Sequence, residues 1–135
     1  MKEIIAVVRM NKVSVTKKAL IEVGAAGFTA TKVVGRGKLV EDKSIIAERR
    51  KTLLALAQKD DQTTEKMITE FLDGTRLFPR RMFNILAHDE DVVKIISAII
   101  KANKTEYKVG DGKIFVLPAL DAVRVRTKES GDAAI

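Results

Sequence analysis

Cysteine is absent from the 135 residues of this chain, and histidine occurs only once. Without thiols there can be no disulfide scaffold, no thiolate nucleophile and no cysteine-ligated zinc site. One imidazole is too few for a multi-histidine metal site, and no pair of carboxylates has the spacing or setting that general acid–base catalysis requires. We therefore expect a binding protein rather than an enzyme, with no catalytic and no metal-ligating residues.

Long apolar runs are missing as well. No stretch approaches the roughly 20 apolar residues that a membrane helix needs. The first residues lack the basic, apolar and small-residue pattern of a secretory signal peptide. These features predict a cytoplasmic protein without membrane insertion.

The charge is positive, because 25 lysines and arginines outnumber 18 aspartates and glutamates to give a net charge of +7. Such a surplus indicates an anionic partner, such as a nucleotide, a carboxylate metabolite or an acidic protein. Nucleic acid is disfavoured because the basic residues are dispersed and aromatic residues, on which bases stack, make up only 4% of the chain. An RNA-binding domain would carry aromatics on an open sheet face, whereas the strand patterns offer mainly Ile, Val and Ala.

Hydrophobic residues make up 46% of the chain, which suffices for the core of one domain. Their periodicity predicts strands over 2–9, 28–34, 81–87 and 114–117, and helices over 13–23 and 88–100. The order predicts an α+β fold, the ferredoxin-like βαββαβ arrangement. Two helices would cover one face of an antiparallel sheet, and self-association would cover the other, apolar face.

The connection between the second and third predicted strands is unusually long. Residues 39–78 are rich in charge and contain two helical patterns, over 45–58 and 64–72. Connections of this length are usually functional. We interpret residues 1–135 as a single domain, with 39–78 as an extended regulatory loop inserted in it.

Glycine and basic residues come together at two places. In Gly110-Asp111-Gly112-Lys113, backbone N–H groups around two glycines can bind an anion, and Lys113 adds a positive charge. The alternative interpretation is a plain hairpin turn, for which Asp-Gly is a favoured pair. The second place is Gly35-Arg36-Gly37-Lys38, which follows the second predicted strand. It is either a second anion-binding segment or a flexible entry to the loop.

Arg124 and Arg126 lie two residues apart in a segment, 122–127, that the alternation predicts to be extended. On a strand both side chains would project from one face, and guanidinium groups suit phosphate oxygens. The alternative is a solvated strand face. If this pair met the 110–113 turn of a neighbouring subunit, the two would form a triphosphate site. Arg49-Arg50-Lys51 is either a solvated helical face or a contact patch for an anion or a partner.

The strings GDGKIFV, VRVRT and DAAI between residues 110 and 135 closely resemble the PII signal-transduction family, as do GFTAT at 27–31 and Gly35-Arg36-Gly37. The resemblance covers the chain except for about 39–78. It implies a trimer of ferredoxin-like subunits, either a homotrimer or a mixed oligomer with a PII-like paralogue. It also implies a non-enzymatic sensor of nitrogen status that binds ATP or ADP in the clefts between subunits.

The resemblance also implies roles for single residues. The nucleotide would be bound by Thr29, Gly35, Gly37, Lys38, Leu86, Gly110, Asp111, Gly112, Lys113, Arg124 and Arg126. The candidates for 2-oxoglutarate are Arg80, Gly110, Arg49 and Arg50, with Mg²⁺ as a further effector. Family members that sense 2-oxoglutarate carry Gln at the position of Leu39, and leucine cannot coordinate a metal ion.

The loop contains no tyrosine, since the single tyrosine is Tyr107, so uridylylation of a loop tyrosine is excluded. A long, tyrosine-free loop is similar to the second member of the paired PII-like regulators of nitrogenase. That resemblance implies that the loop contacts nitrogenase, that the two paralogues together inhibit nitrogenase, and that 2-oxoglutarate relieves this inhibition. The alternative is a PII regulator of another target, such as an ammonium channel.

Overall fold

A computed structural model describes residues 1–37, 47, 50–53, 55, 62–73, 77–106 and 110–135. Its strands are β1 (Lys2–Arg9), β2 (Thr29–Gly35), β3 (Phe78–Ala87) and β4 (Lys113–Pro118), and its helices are α1 (Val13–Glu22), α2 (Gln62–Asp73) and α3 (Val92–Asn103). The chain divides into two compact units, one formed by Met1–Val33 with Pro79–Ile135 and the other by Val34–Phe78.

The sheet has four strands in the order β2-β3-β1-β4. Strand β1 is antiparallel to both of its neighbours, β3 and β4. This confirms the predicted α+β fold with an antiparallel sheet, and the strand order agrees with the split βαβ arrangement.

The core of the first unit lies between the helices and one face of the sheet. Alternate residues of β1 are fully or nearly fully buried there, namely Ile4, Ala6 and Val8. They pack with aliphatic and aromatic side chains of α1, β3 and α3: Leu20, Phe83, Ile85, Ile95 and Ile99. Because side chains alternate along a strand, every second residue of β1 is left for the opposite face.

That opposite face is only partly covered in the single subunit. Ile5 pairs in register with Phe115 of β4. Phe115 is 49% exposed and Leu117 is 40% exposed. One polar pair interrupts this apolar surface, because Asn84 Nδ2 donates to Glu3 Oε1 over 2.6 Å. This face therefore carries partly exposed apolar side chains, as predicted, together with polar ones.

A buried polar pair joins the two helices of the first unit. Asn103, the last residue of α3, donates from Nδ2 to Thr16 Oγ1 and to the carbonyl of Ile99, each over 2.9 Å. Thr16 in turn donates to the carbonyl of Lys12 over 2.7 Å. These bonds fix how the end of α3 lies against the first turn of α1.

The second unit contains α2, which confirms the helix predicted over 64–72. Arg50 donates to Glu65 of α2 over 2.5 Å. Most of the helix predicted over 45–58 lies outside the described residues. Within the part of the chain that the structure describes, no helix is long and apolar enough to cross a membrane.

Candidate functional site

Residues Gly110 to Lys113, which we call the glycine turn, lead from the region after α3 into β4. Gly110 has φ +98° and Gly112 has φ +116°, backbone conformations that residues other than glycine rarely adopt. A Cβ on Gly112 would lie 2.3 Å from the carbonyl oxygen of Val7, so the turn packs directly on β1. Among the described residues the element before the turn is the helix α3, and β4 pairs with β1, so no strand is seen that would make the turn a hairpin.

The carboxylate of Asp111 fixes the glycine turn from inside. It accepts hydrogen bonds from the backbone N–H of Thr105 over 2.8 Å and from the Thr105 hydroxyl over 2.6 Å. Arg9 Nη2 lies 3.2 Å from the same carboxylate. The side chain of Asp111 therefore faces its own subunit, and what this residue can offer an anion is its backbone N–H.

Arg9 is a site residue that the sequence reasoning missed. It ends β1, pairs with Asp111 and lies so close to Gly110 that a Cβ there would be 3.0 Å from Arg9 Nη2. In the β1–β3 register it stands opposite Arg80, a candidate ligand of 2-oxoglutarate. Residues opposite each other on antiparallel strands have Cβ atoms about 5 Å apart. The Arg80 Nη1 group donates to the carbonyl of Pro79 over 2.9 Å, and Arg9 is the arginine that contacts the glycine turn.

The segment carrying Arg124 and Arg126 is folded differently from the prediction. Residues 125–127 form a turn, and Val123 pairs with Ser130 in an isolated antiparallel bridge. The prediction of an extended strand over 122–127 is wrong. Lys128 has φ +61°, and its N–H donates to the carbonyl of Arg124 over 2.8 Å, which turns the chain back.

Consequently Arg124 and Arg126 are not two residues of one strand face. Arg124 Nη1 donates to Glu129 Oε2 over 2.6 Å, and its Nη2 donates to the main-chain oxygen of Ile135 over 3.2 Å. Arg126 is exposed. Both residues belong to the first unit, as does the glycine turn.

The remaining predicted residues are distributed over the two units. Thr29 begins β2 and is exposed, and Leu86 is half-buried in β3 opposite Glu3. Gly35, Gly37 and Arg50 belong to the second unit. Lys38, Leu39 and Arg49 lie outside the described residues.

Comparison with known proteins identifies the family. The family model described as "Nitrogen regulatory protein P-II" matches residues 1–129. The chain is a member of the PII family. PII proteins are signal-transduction regulators and not enzymes, and they generally form trimers that act on partner proteins. The resemblance that carried the sequence interpretation is therefore confirmed.

Several known proteins match the chain along its full length. A "Nitrogen fixation nifHD region GlnB-like protein 2" of Methanobacterium ivanovii is 44% identical, with 100% of this chain and 99% of the relative covered. A protein of the same name from Methanothermobacter marburgensis is 38% identical, with both chains fully covered. "Nitrogen regulatory protein P-II 2" of Methanothermobacter thermautotrophicus is 33% identical, with 100% of this chain and 97% of the relative covered.

A cavity of about 450 Å³ adjoins the glycine turn of this PII subunit on the side of the helices. Its wall is mainly aliphatic, with Ile96 and Ile100 from α3 and Ile114 and Val116 from β4. Asp111, Gly112 and Lys113 form its polar end. Thr29 and Leu86, two of the residues predicted to bind the nucleotide, do not line it.

Acid should loosen the glycine turn. The hydrogen bonds from Thr105 and then the charges of Arg9 and Lys12 outweigh burial and lower the pKa of Asp111 below its ordinary value. Since the ionised form is favoured in the folded state, its stabilising contribution is complete above about pH 4, the usual carboxyl pKa. The contribution is lost as the pH falls through the lowered pKa.

We expect Asp111→Asn to lower the melting temperature at pH 7 and to leave it closer to that of the wild type at pH 2–3. Thermal unfolding followed by circular dichroism across this pH range measures the difference. Asp91→Asn, which removes an ion pair with Lys94 at the start of α3 and away from the glycine turn, serves as the control. If the difference in melting temperature between the wild type and Asp111→Asn did not depend on pH, the ionised carboxylate of Asp111 would not be what stabilises the turn.

Proposed function

We propose that this PII protein reports nitrogen status by binding ATP or ADP at the glycine turn, with 2-oxoglutarate as a second effector, and that it regulates nitrogenase. The observation that carries the proposal is the glycine turn itself. Its two glycines have positive φ, its last residue is Lys113, and Asp111 ties it to Arg9 at the end of β1.

This arrangement suits a polyphosphate for two reasons. Backbone N–H groups around residues with positive φ can point into one concavity and bind an anion without moving a side chain. Lysine and arginine then add charge-assisted hydrogen bonds, which are shorter and stronger than neutral ones. The carboxylate of Asp111 is bonded to Thr105 and Arg9, which partly offsets its negative charge in the turn.

The assembly in this proposal is a trimer, formed by this chain alone or with a PII-like paralogue. The partly exposed apolar face around Ile5, Phe115 and Leu117 is the surface that the trimer would bury. Arg124 and Arg126 would then approach the glycine turn of a neighbouring subunit. The C-terminal hairpin that carries them folds as part of the first unit.

For 2-oxoglutarate, Arg80 is the strongest candidate because it stands opposite Arg9 in the register of β1 and β3, and a guanidinium group can bind a carboxylate through two parallel hydrogen bonds. Gly110, Arg49 and Arg50 are further candidates, although Arg50 pairs with Glu65 in the described structure. Mg²⁺ would accompany the nucleotide phosphates. Leu39 cannot ligate this ion, so in this proposal the contacts to 2-oxoglutarate come from cations.

Nitrogenase is proposed as the target because relatives that match the whole chain are named for a nitrogen fixation nifHD region. Residues 39–78 would be the contacting segment, in a cytoplasmic protein. Ligands would switch this contact by binding one of two states of the segment more tightly than the other. An ammonium channel is the alternative target.

Isothermal titration calorimetry with MgATP tests the nucleotide part. We expect the wild type to bind MgATP and Lys113→Gln to bind it roughly tenfold more weakly or worse, since a hydrogen bond to a charged group is lost. Lys101→Gln removes a lysine from α3, outside the proposed site, and should leave the affinity unchanged. Absence of MgATP binding to the wild-type oligomer would overturn the nucleotide part.

Capture of nitrogenase tests the target. The tagged full chain, alone and together with its PII-like paralogue, is mixed with nitrogenase and ATP at low and at high 2-oxoglutarate. We expect capture at low 2-oxoglutarate and release at high 2-oxoglutarate. If nitrogenase is not retained under any of these conditions while an ammonium channel is, the alternative target is correct.

A further inference from the structure

Arg124 is held by acceptors of its own subunit. Its Nη1 donates to Glu129 Oε2 over 2.6 Å, and the Thr127 hydroxyl donates to the same oxygen over 2.7 Å. Its Nη2 donates to the main-chain oxygen of Ile135 over 3.2 Å. Both terminal nitrogens of the guanidinium group are therefore engaged.

The backbone of the hairpin keeps Glu129 in this place. The N–H of Arg124 donates to the carbonyl of Glu129 over 2.9 Å, and the N–H of Lys128 donates to the carbonyl of Arg124 over 2.8 Å. These main-chain hydrogen bonds hold Glu129 next to Arg124, so the backbone favours the contact between their side chains.

A carboxylate and a phosphate compete for the same donors of an arginine, since both accept its N–H groups through two oxygens. The Arg124 and Glu129 side chains are 38% and 46% exposed, so the pair is one that water and ligands can reach. Exposed ion pairs of this kind stabilise a protein only weakly, and a more highly charged anion can displace the carboxylate.

We propose that Glu129 lowers the affinity of the nucleotide site, because it occupies Arg124 until a polyphosphate displaces it. The proposal rests on the proposed function, in which Arg124 binds nucleotide phosphate. Glu129 lowers the affinity for every phosphate ligand that uses Arg124.

The test compares MgATP binding to the wild type and to Glu129→Gln by calorimetry on the full-length oligomer. Removal of the competing charge should tighten binding about two- to fivefold, the range set by the loss of an exposed ion pair. Glu22→Gln is the matched control, because it removes one negative charge from an exposed pair with Lys18 on α1. It should leave the affinity unchanged.

A double-mutant cycle shows whether the effect passes through Arg124. Arg124→Gln should weaken MgATP binding, and in that background Glu129→Gln should give no further gain. Thr127→Val releases the Glu129 carboxylate without changing the charge, and it should tighten binding in the same direction by a smaller factor. This second variant decides the question if Glu129→Gln unfolds in a thermal melt.

The outcomes separate the inference from the function on which it rests. If the wild type binds MgATP and Glu129→Gln binds it equally or more weakly, the inference is overturned and the proposed function stands. A gain that persists in Arg124→Gln is a general charge effect and also overturns the inference. If no protein in the set binds MgATP, the nucleotide part of the proposed function fails.

Discussion

Gly112→Ala should destabilise the subunit and abolish nucleotide binding. The new methyl group would stand 2.3 Å from the Val7 carbonyl oxygen, and the residue would have to keep φ at +116°. Backbone strain of this kind alone costs about 1–3 kcal/mol. Relief of the clash requires the glycine turn to move away from β1, which removes the backbone geometry proposed to bind phosphate.

Denaturant unfolding and MgATP calorimetry on the same preparations measure both effects. Gly24→Ala is the matched control, because Gly24 also has a positive φ, of +77°, but a Cβ there would meet nothing within 4 Å. Gly24→Ala should lose some stability and keep its nucleotide affinity. If Gly112→Ala were as stable as Gly24→Ala and bound MgATP normally, close packing of the turn on β1 would not matter for the site.

Phe115→Glu should convert the assembly into monomers. Phe115 lies on the sheet face turned away from the helices, opposite Ile5, and is 49% exposed in the single subunit. If oligomerisation buries this face, a glutamate there must lose its hydration without a partner, at a cost of several kcal/mol per subunit. Light scattering coupled to size-exclusion chromatography gives the mass of the assembly.

Val93→Glu is the control for Phe115→Glu. Val93 is 73% exposed and lies on α3, in the helical layer on the other side of the sheet. The same change of chemistry there should leave the mass of the assembly unchanged. If the wild type were monomeric, or if Phe115→Glu kept the wild-type mass, the sheet face would not be the oligomer interface.

Local patterns predicted most of the first unit. The β-branched residues of β1 and the apolar stripe of α3 place both elements within a few residues of their observed bounds. The helix predicted over 13–23 is followed by Gly24, which has φ +77°, and the N–H of Ala25 bonds to the carbonyl of Leu20. Such features depend on near neighbours in sequence, which is why the sequence alone reveals them.

Features that depend on distant residues could not be predicted in the same way. Arg9 enters the site only through the register that places it opposite Arg80 and beside Asp111. The alternation over 122–127 resembles a strand, but the positive φ of Lys128 and the bonds of Arg124 turn it back. A backbone reversal of this kind has no hydrophobic period by which the sequence would reveal it.

The hydrogen bond between Asn103 and Thr16 limits where the sequence can accept insertions and deletions. Asn103 stops α3 against Thr16, and the chain that leaves it reaches Thr105 two residues later and then Asp111. The contact of Asn103 with Thr16 and the contact of Thr105 with Asp111 fix both ends of the connection between α3 and the glycine turn. Insertions or deletions just after Asn103 are expected to be rare among functional variants, whereas the solvent side of α3 is free to diverge.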